Sequence, residues 1–427
     1  MRSARIFVLL VGAALVLPTL SFGSGFALFE HGARGVALGG AFGATADNPT
    51  ALYYNPAGIA FLEGTQAAAG AYFITFGAEF EGDNPYPGAG YKSEMESQIF
   101  YPPHAYVTGG LTDRLRWGVG LTAPFGLGTW WPDDWAGKFV TKRADLKIFN
   151  INPNVSYKIS DTWSVAAGFD YFLVDVDLTK SVSAINPYTQ QVAEVGQAHI
   201  STSRQTGWGW NVATLAKFGG GFSAGLTYRS KVKADMKGKG SFVQFPTGYD
   251  DFDAIVAGLI PFDVNPDVET SIEFPDEARV ALAWHNEHFT VEGDVVWMGW
   301  SSFVELPITF PDYPLLSSVK PENYEDSLTY RLGVEYKKSE TWSWLFGALY
   351  DESPVPTESV SPLLPDANRT GISVGFSWAF SPSMTLDAGF LHLMFPERST
   401  EGRDYDNFNG TYTTSAELLG FSVVYKF

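Results

Sequence analysis

The chain has 427 residues, with 28 Lys and Arg against 47 Asp and Glu, for a net charge of −19. That balance excludes a nucleic-acid binder, which needs a basic face, and the absence of Cys excludes disulfide frameworks, thiolate metal sites and cysteine nucleophiles. Charged residues are scarce at 18%, aromatics reach 15%, and 44 Gly with 25 Pro point to many turns and few long helices.

At the start of the chain, Arg2 and Arg5 precede an apolar run over residues 6–17, then Pro18 and the small-residue stretch Ser21-Phe22-Gly23. A basic beginning, a short apolar stretch and small residues before a cut describe a cleaved secretory signal peptide over residues 1–23. The run is shorter than the ~20 residues that cross a bilayer as a helix. Residues 24–64 are rich in Gly and Ala and do not alternate. They are too apolar for a free tail, so they must pack somewhere.

From residue 65 onward the period is two. Phe222, Ala224, Leu226 and Tyr228 alternate with Ser223, Gly225, Thr227 and Arg229. Leu328, Tyr330, Leu332, Val334 and Tyr336 alternate with Thr329, Arg331, Gly333 and Glu335. Ile372, Val374, Phe376 and Trp378 do the same, and the chain ends on Leu419, Phe421, Val423, Tyr425 and Phe427. In a strand such residues face opposite sides of the sheet. A soluble sandwich would bury the apolar face, whereas a membrane barrel turns it to lipid and keeps polar groups in the lumen. Three features favour the membrane. The segments are long enough to cross it when tilted. Tyr101, Trp117, Trp163, Trp297, Trp300, Trp342 and Trp344 sit near strand ends, where aromatic girdles belong. The chain also stops on an aromatic inside an apolar strand.

Strand starts near Thr65, Gln98, Leu115, Asp145, Trp163, Ile200, Phe222, Thr270, Phe289, Glu325, Trp342, Ala367, Met384 and Thr413 predict about fourteen strands, an even number as a single-chain bacterial barrel requires. Short links such as Thr112-Asp113-Arg114 and Ser381-Pro382-Ser383 read as periplasmic turns. The longer stretches 83–96, 126–143, 181–199, 242–268, 307–321, 353–365 and 396–412 read as outward loops. The predicted fold is all-β: a 14-stranded antiparallel transmembrane barrel over residues 65–427, with residues 24–64 as a hatch, or plug, in its lumen. Such a protein sits in the outer membrane of a Gram-negative bacterium, among its lipid and lipopolysaccharide, and is expected as a monomer.

Enzymatic signals are thin. Gly371-Ile372-Ser373-Val374-Gly375 matches G-x-S-x-G but lies within an alternating strand and opens no helix, which a nucleophile elbow requires. His285 and His288 fall in a turn, where a zinc protease would use a helix. Neither a metal nor a cofactor is expected, and no enzyme; an outer-membrane lipase or a general porin remains as an alternative.

The hatch carries a resemblance. Gly25-Phe26-Ala27-Leu28-Phe29-Glu30, Ala33-Arg34-Gly35, Ala46-Asp47-Asn48 and Tyr54-Asn55-Pro56-Ala57-Gly58 resemble the N-terminal segment of the FadL family, outer-membrane channels for long-chain fatty acids and relatives that carry aromatic hydrocarbons. Leu226-Thr227-Tyr228-Arg229-Ser230, Tyr350-Asp351-Glu352-Ser353-Pro354-Val355-Pro356 and Pro365-Asp366-Ala367-Asn368-Arg369 extend the match along the chain. The resemblance implies passive uptake of hydrophobic compounds, long-chain fatty acids first and toluene-type hydrocarbons as the alternative.

It also implies site residues. Family loops after strands 5 and 7 form a hydrophobic capture groove. In the second of these, Phe252, Ile255, Val256, Leu259 and Ile260 are spaced as one face of a helix behind a possible cap at Asp250 or Asp251. That face could capture ligand or pack on the barrel rim. The loop over residues 181–199 is short and polar. Lys180 and Lys320 align with cations that would hold a carboxylate, or they are ordinary rim lysines. Strict alternation from Val174, Val176 and Leu178 assigns Lys180 to the lipid face unless the strand bulges. Asn55-Pro56-Ala57-Gly58 has turn chemistry and could be a gating hinge, together with Gly25, Phe26 and Arg34. Asp351 and Arg369 could pair inside the barrel, with Arg34 or Asn55 joining them.

Overall fold

The computed structural model describes residues 25–427; the expected signal peptide over residues 1–23 lies outside the described residues. Fourteen strands form one closed antiparallel ring: β1 Gln66–Gly82, β2 Pro103–Gly110, β3 Leu115–Thr122, β4 Arg143–Ser160, β5 Trp163–Ile185, β6 Val192–Lys217, β7 Phe222–Arg229, β8 Glu277–His285, β9 Phe289–Met298, β10 Ser327–Lys337, β11 Trp342–Asp351, β12 Arg369–Ser381, β13 Met384–Met394 and β14 Gly410–Lys426. Each strand pairs with the next in sequence, and β14 closes on β1 from Gln66↔Lys426 to Gly82↔Gly410. Closure removes the open edges that a sheet of this width would otherwise present.

Outward parity is apolar and exposed, as in Ile372, Val374, Leu419, Phe421 and Val423. Inward parity is Gly, Ser, Thr and charge, and it is buried because residues 25–64 fill the ring. Helix α1 (Ala33–Ala37) touches β11, β12, β13 and β14, while helix α2 (Ala51–Tyr54) touches β3 and the 3₁₀ turn Pro56–Phe61 touches β4, β5 and β6 on the other side. Only a segment inside the ring reaches both walls.

Inward glycines make the fit possible. A Cβ at Gly347 would collide with the backbone of Leu38 and Gly39, and one at Gly389 would strike Ala33 O.

Three expectations change. The stretch 181–199 is not a loop: β5 and β6 run on as a long hairpin, leaving only residues 186–191 as its tip. Trp300 is no girdle residue but is fully buried at 0% exposure, its ring 4.7 Å from Phe26. The second strand breaks at Tyr101-Pro102 into Gln98–Phe100 and β2, since proline cannot donate to a ladder.

Candidate ligand-binding site

Above the hatch, in the outward half of the barrel, the lumen changes character. Val176 and Leu178 from β5, Ile200 from β6 and Leu146 from β4 point inward. They meet Met236 and Ile272 from strand extensions above β7 and β8, with Phe303, Leu306 and Tyr324 from the segment between β9 and β10. Phe26 of the hatch forms part of the lining. These side chains surround a cavity of about 70 Å³, with Asp145, Thr270, Glu322, Tyr324 and Ser361 as the residues of its lining that carry polar side-chain groups. An apolar chamber with a few grouped polar atoms is the usual form of a small-molecule site.

One end of this chamber carries charge. Lys320 Nζ donates to Ser361 Oγ at 2.9 Å and stands 3.4 Å from Asp406 Oδ2 and 3.7 Å from Glu322 Oε1. Burial lifts the Glu322 carboxyl to about 7, against the opposing pull of Lys320. Lys180 shares the electrostatic field of Lys320 and Asp406. The assignment of Lys180 to the lipid face is therefore corrected. Val176 and Leu178, on its parity, line the chamber; the even parity of β5 faces inward from Ser164 onward, and beyond Asp170 it carries apolar rather than polar residues. Alternation reports which residues share a face, and only the surroundings say which face is inside.

The wall beside the chamber is interrupted. β2 and β3 pair up to Ala105↔Leu121, and β3 then breaks at Ala123-Pro124-Phe125 before Gly126–Trp130 continues along β4. Above that point no ladder joins the two strand continuations among the described residues, until the Glu96 amide donates to Trp130 O at 2.8 Å. The hatch fills the inner side of this break. The Leu28 amide donates to Pro124 O at 2.9 Å and the Gly126 amide to Phe26 O at 3.0 Å. A small cavity lined by Leu28, Glu30, His31, Tyr72, Ile74, Pro102, Pro103 and Ala123 lies at the same place.

A family model described as outer membrane protein transport protein (OMPP1/FadL/TodX) matches residues 14–427. The chain belongs to this family. It is 28% identical to the long-chain fatty acid transport protein of Salmonella typhi, over 89% of this chain and 90% of that protein. It is 26% identical to a 47 kDa outer membrane protein of Pasteurella multocida, over 98% of both. Among solved structures, a FadL homologue from Pseudomonas aeruginosa superposes with a TM-score of 0.82 at 19% identity, covering 95% of this chain and 100% of that one. The Ralstonia pickettii toluene transporter TbuX gives 0.70 at 17% identity, over 94% and 99%. Barrel and family together place the protein in the Gram-negative outer membrane.

In this FadL-family barrel the hatch is held by charge. Arg331 Nη1 donates to Gly39 O at 2.9 Å and Arg279 Nη1 to Gly40 O at 3.0 Å. Asp294 accepts from the amides of Phe42 and Gly43, and Glu292 from those of Ala44 and Thr45 at 2.6 and 2.9 Å. Carboxylates meet N–H groups and guanidinium groups meet carbonyls, so hatch backbone that would otherwise be unpaired finds partners on the wall, while Arg279 also pairs with Asp294 at 2.9 Å. Sequence reading missed Arg279, Glu292 and Asp294; charged residues on the polar parity of mid-barrel strands were the available signal.

Asp351 and Arg369 do pair, at 2.8 Å, but Arg34 and Asn55 do not join them. Asp351 takes its second cation from Arg331 at 3.3 Å. Arg34 instead reaches Glu335 at 2.8 Å and Asp47 at 3.3 Å. Asn55 Oδ1 accepts from the Ala57 amide, and its Nδ2 donates to Gly43 O and Thr214 O. Ser156 and Ser164 add donors to Ala57 O, so Asn55-Pro56-Ala57-Gly58 is a turn stapled to the wall.

Helix α3 (Asp250–Leu259) splits the expected apolar face. Phe252 and Val256 are buried on the rim with Val195, with Ile260 packed against them. Ile255 and Leu259 point out, at 58% and 62% exposure. Neither Asp250 nor Asp251 is the cap; Tyr249 holds that position, and Asp253 instead accepts from Thr247. Within the strand β12, Ser373 Oγ donates to Ala37 O, a structural role that leaves no nucleophile elbow.

Proposed function

We propose that this protein is a passive outer-membrane channel for hydrophobic compounds, with long-chain fatty acids as its principal cargo. One observation carries the reading: an apolar chamber closed below by hatch residue Phe26, with Lys320 and Ser361 gathered at one end. An acyl chain fits such a lining, and a carboxylate fits a charge-assisted donor pair. Similarity to proteins named long-chain fatty acid transport protein supports the same cargo.

Lys320 and Lys180 are the head-group anchors in this reading. Ile255 and Leu259 on α3 offer the first apolar contact outside, while Phe252, Val256 and Ile260 hold the helix to the rim. Discharge is sideways, through the interrupted ladder between β2 and β3, once the hatch segment at residues 26–28 gives way. The hatch elements Gly25, Phe26 and Arg34 and the Asn55-Pro56-Ala57-Gly58 staple set how readily that happens. The protein works as a monomer among lipid and lipopolysaccharide and performs no chemistry on its cargo. An ester-hydrolysis assay on the purified barrel tests the last point.

Aromatic hydrocarbons are the second reading, favoured by the rings of Phe26, Phe303 and Tyr324 in the lining and by likeness in fold to a toluene transporter. The double variant Lys180→Met/Lys320→Met separates the two. Fatty-acid affinity should fall at least about tenfold, since each ~1.4 kcal/mol is a factor of ten, while toluene binding holds. Equal loss for both ligands would make the lysines mere supports of the chamber's shape.

A further inference from the structure

The charged end of the chamber holds more acid than base. Lys320 faces Glu322, Asp404 and Asp406, and Lys180 adds its charge only to the field of Asp406 and Lys320. Lys320 is already engaged: Ser361 Oγ, Asp406 and Glu322 lie 2.9, 3.4 and 3.7 Å from its Nζ. An anionic head group arriving there meets an anchor whose charge is spoken for. The two acids differ in their freedom to leave. The Asp406 side chain is 30% exposed and can turn to water, but Glu322 is at 7% and lines the chamber itself. A carboxylate so enclosed has no solvent to retreat into, and leaving it unpaired is costly.

We propose that Glu322 sets the head-group selectivity of this chamber: it is an internal counter-ion that holds Lys320 while the chamber is empty and releases it to an anionic ligand by taking up a proton. The proposal rests on Lys320 being the head-group anchor. The proton comes from solvent, and no covalent bond changes.

The sign follows from the surroundings of Glu322. Burial raises its carboxyl to about 7, Lys320 lowers it, and Asp406 and Asp404 raise it. Tyr324, the neighbouring phenol, is itself pushed up by burial and stays neutral across this range. Below pH 7 Glu322 is protonated and only Asp406, which can turn to water, still competes for Lys320; above it Glu322 is ionised and competes as well. A second anion beside it raises its proton affinity further, so binding should absorb protons and weaken as pH rises.

The test uses the full detergent-purified protein in calorimetric titrations. Two probes separate charge from chain: dodecanesulfonate, whose charge does not titrate, and uncharged 1-dodecanol. If the bound anion raises Glu322 by one unit, dodecanesulfonate affinity should fall about sixfold from pH 6.5 to 8.5. Titrations in buffers of different ionisation heat should then show proton uptake. 1-Dodecanol should bind with neither effect. Glu322→Gln should flatten the profile and bind dodecanesulfonate at pH 8.5 as tightly as the parent does at pH 6.5. A parent protein that absorbs no protons, or a Glu322→Gln variant that keeps the slope, overturns the proposal. Lys320→Met reports on the anchor separately: if it leaves dodecanesulfonate affinity intact, the anchor itself is misplaced.

Discussion

Asn55 shows how much one side chain can hold in place. It is fully buried, and its amide links the hatch turn at Ala57, the hatch loop at Gly43 and the wall at Thr214. Removing it leaves the Ala57 amide without that acceptor and withdraws a donor from two carbonyls; a buried polar group left unpaired costs about 1–3 kcal/mol. Asn55→Ala should therefore lower the thermal midpoint of the hatch, followed by hydrogen exchange of the 51–61 backbone, with the barrel strands unaffected. Equal exchange in the two proteins would mean that Pro56 and the two serines suffice. This role was legible in the sequence, because Asn-Pro-Ala-Gly is turn chemistry wherever it stands. Lys180 was legible only in part. Its neighbours at 176 and 178 are apolar, as lipid-facing residues are, yet they line the chamber. The inward parity of β5 carries Ser164 and Asp170 in its lower part and Phe172, Val174 and Val176 beside the chamber, so periodicity marks a shared face without saying whether its apolar residues meet lipid or ligand.

At the scale of elements, the hatch and the wall are matched by what the strands leave out. Gly347 lies where Leu38 and Gly39 pass, and a Cβ there would overlap their backbone, which cannot swing aside as a side chain could. Gly347→Ala should displace the hatch from β11 and raise the single-channel conductance to small ions. Gly293→Ala is the control: a Cβ at that position has nothing nearer than Arg331 O at 3.8 Å. If both variants conduct alike, hatch seating does not depend on close approach at β11. The strand count and nearly all strand starts followed from alternation and turn residues. The long β5–β6 hairpin did not, because residues 181–199 mix small and apolar residues such as Val182, Ala184 and Val195 with polar ones and turn residues such as Asn186 and Pro187, which breaks a clear two-residue signal. Helix α3 was foreseeable from its spacing, but which of its apolar residues would meet the rim depends on Val195, Ala184 and Ala193 from the neighbouring hairpin.

At the scale of the whole molecule, the barrel is a closed hydrogen-bonded ring whose ladder does not pass through the hatch, so the two make separable contributions. The ring closes through β14 and β1, and outward apolar residues meet lipid whether or not the lumen is filled. The hatch occupies the space between opposite walls, and its backbone hydrogen-bonds Arg279, Glu292, Asp294 and Arg331. Joining residue 24 directly to residue 65 would strip these groups of their hatch hydrogen bonds and leave them facing an open lumen, which water and ions would fill because buried polar groups without partners are costly. The same deletion removes Phe26 from the lining of the apolar chamber. Conductance in planar bilayers should rise to a steady, porin-like level, while uptake of a radiolabelled long-chain fatty acid by cells making this variant should fall. The two readouts must move in opposite directions, because one measures an open aqueous path and the other a chamber that must stay dry. An unchanged conductance would mean that residues 25–64 do not limit ion flow. A rise in both would mean that the chamber contributes nothing to uptake and that the intact protein is best read as a blocked general porin.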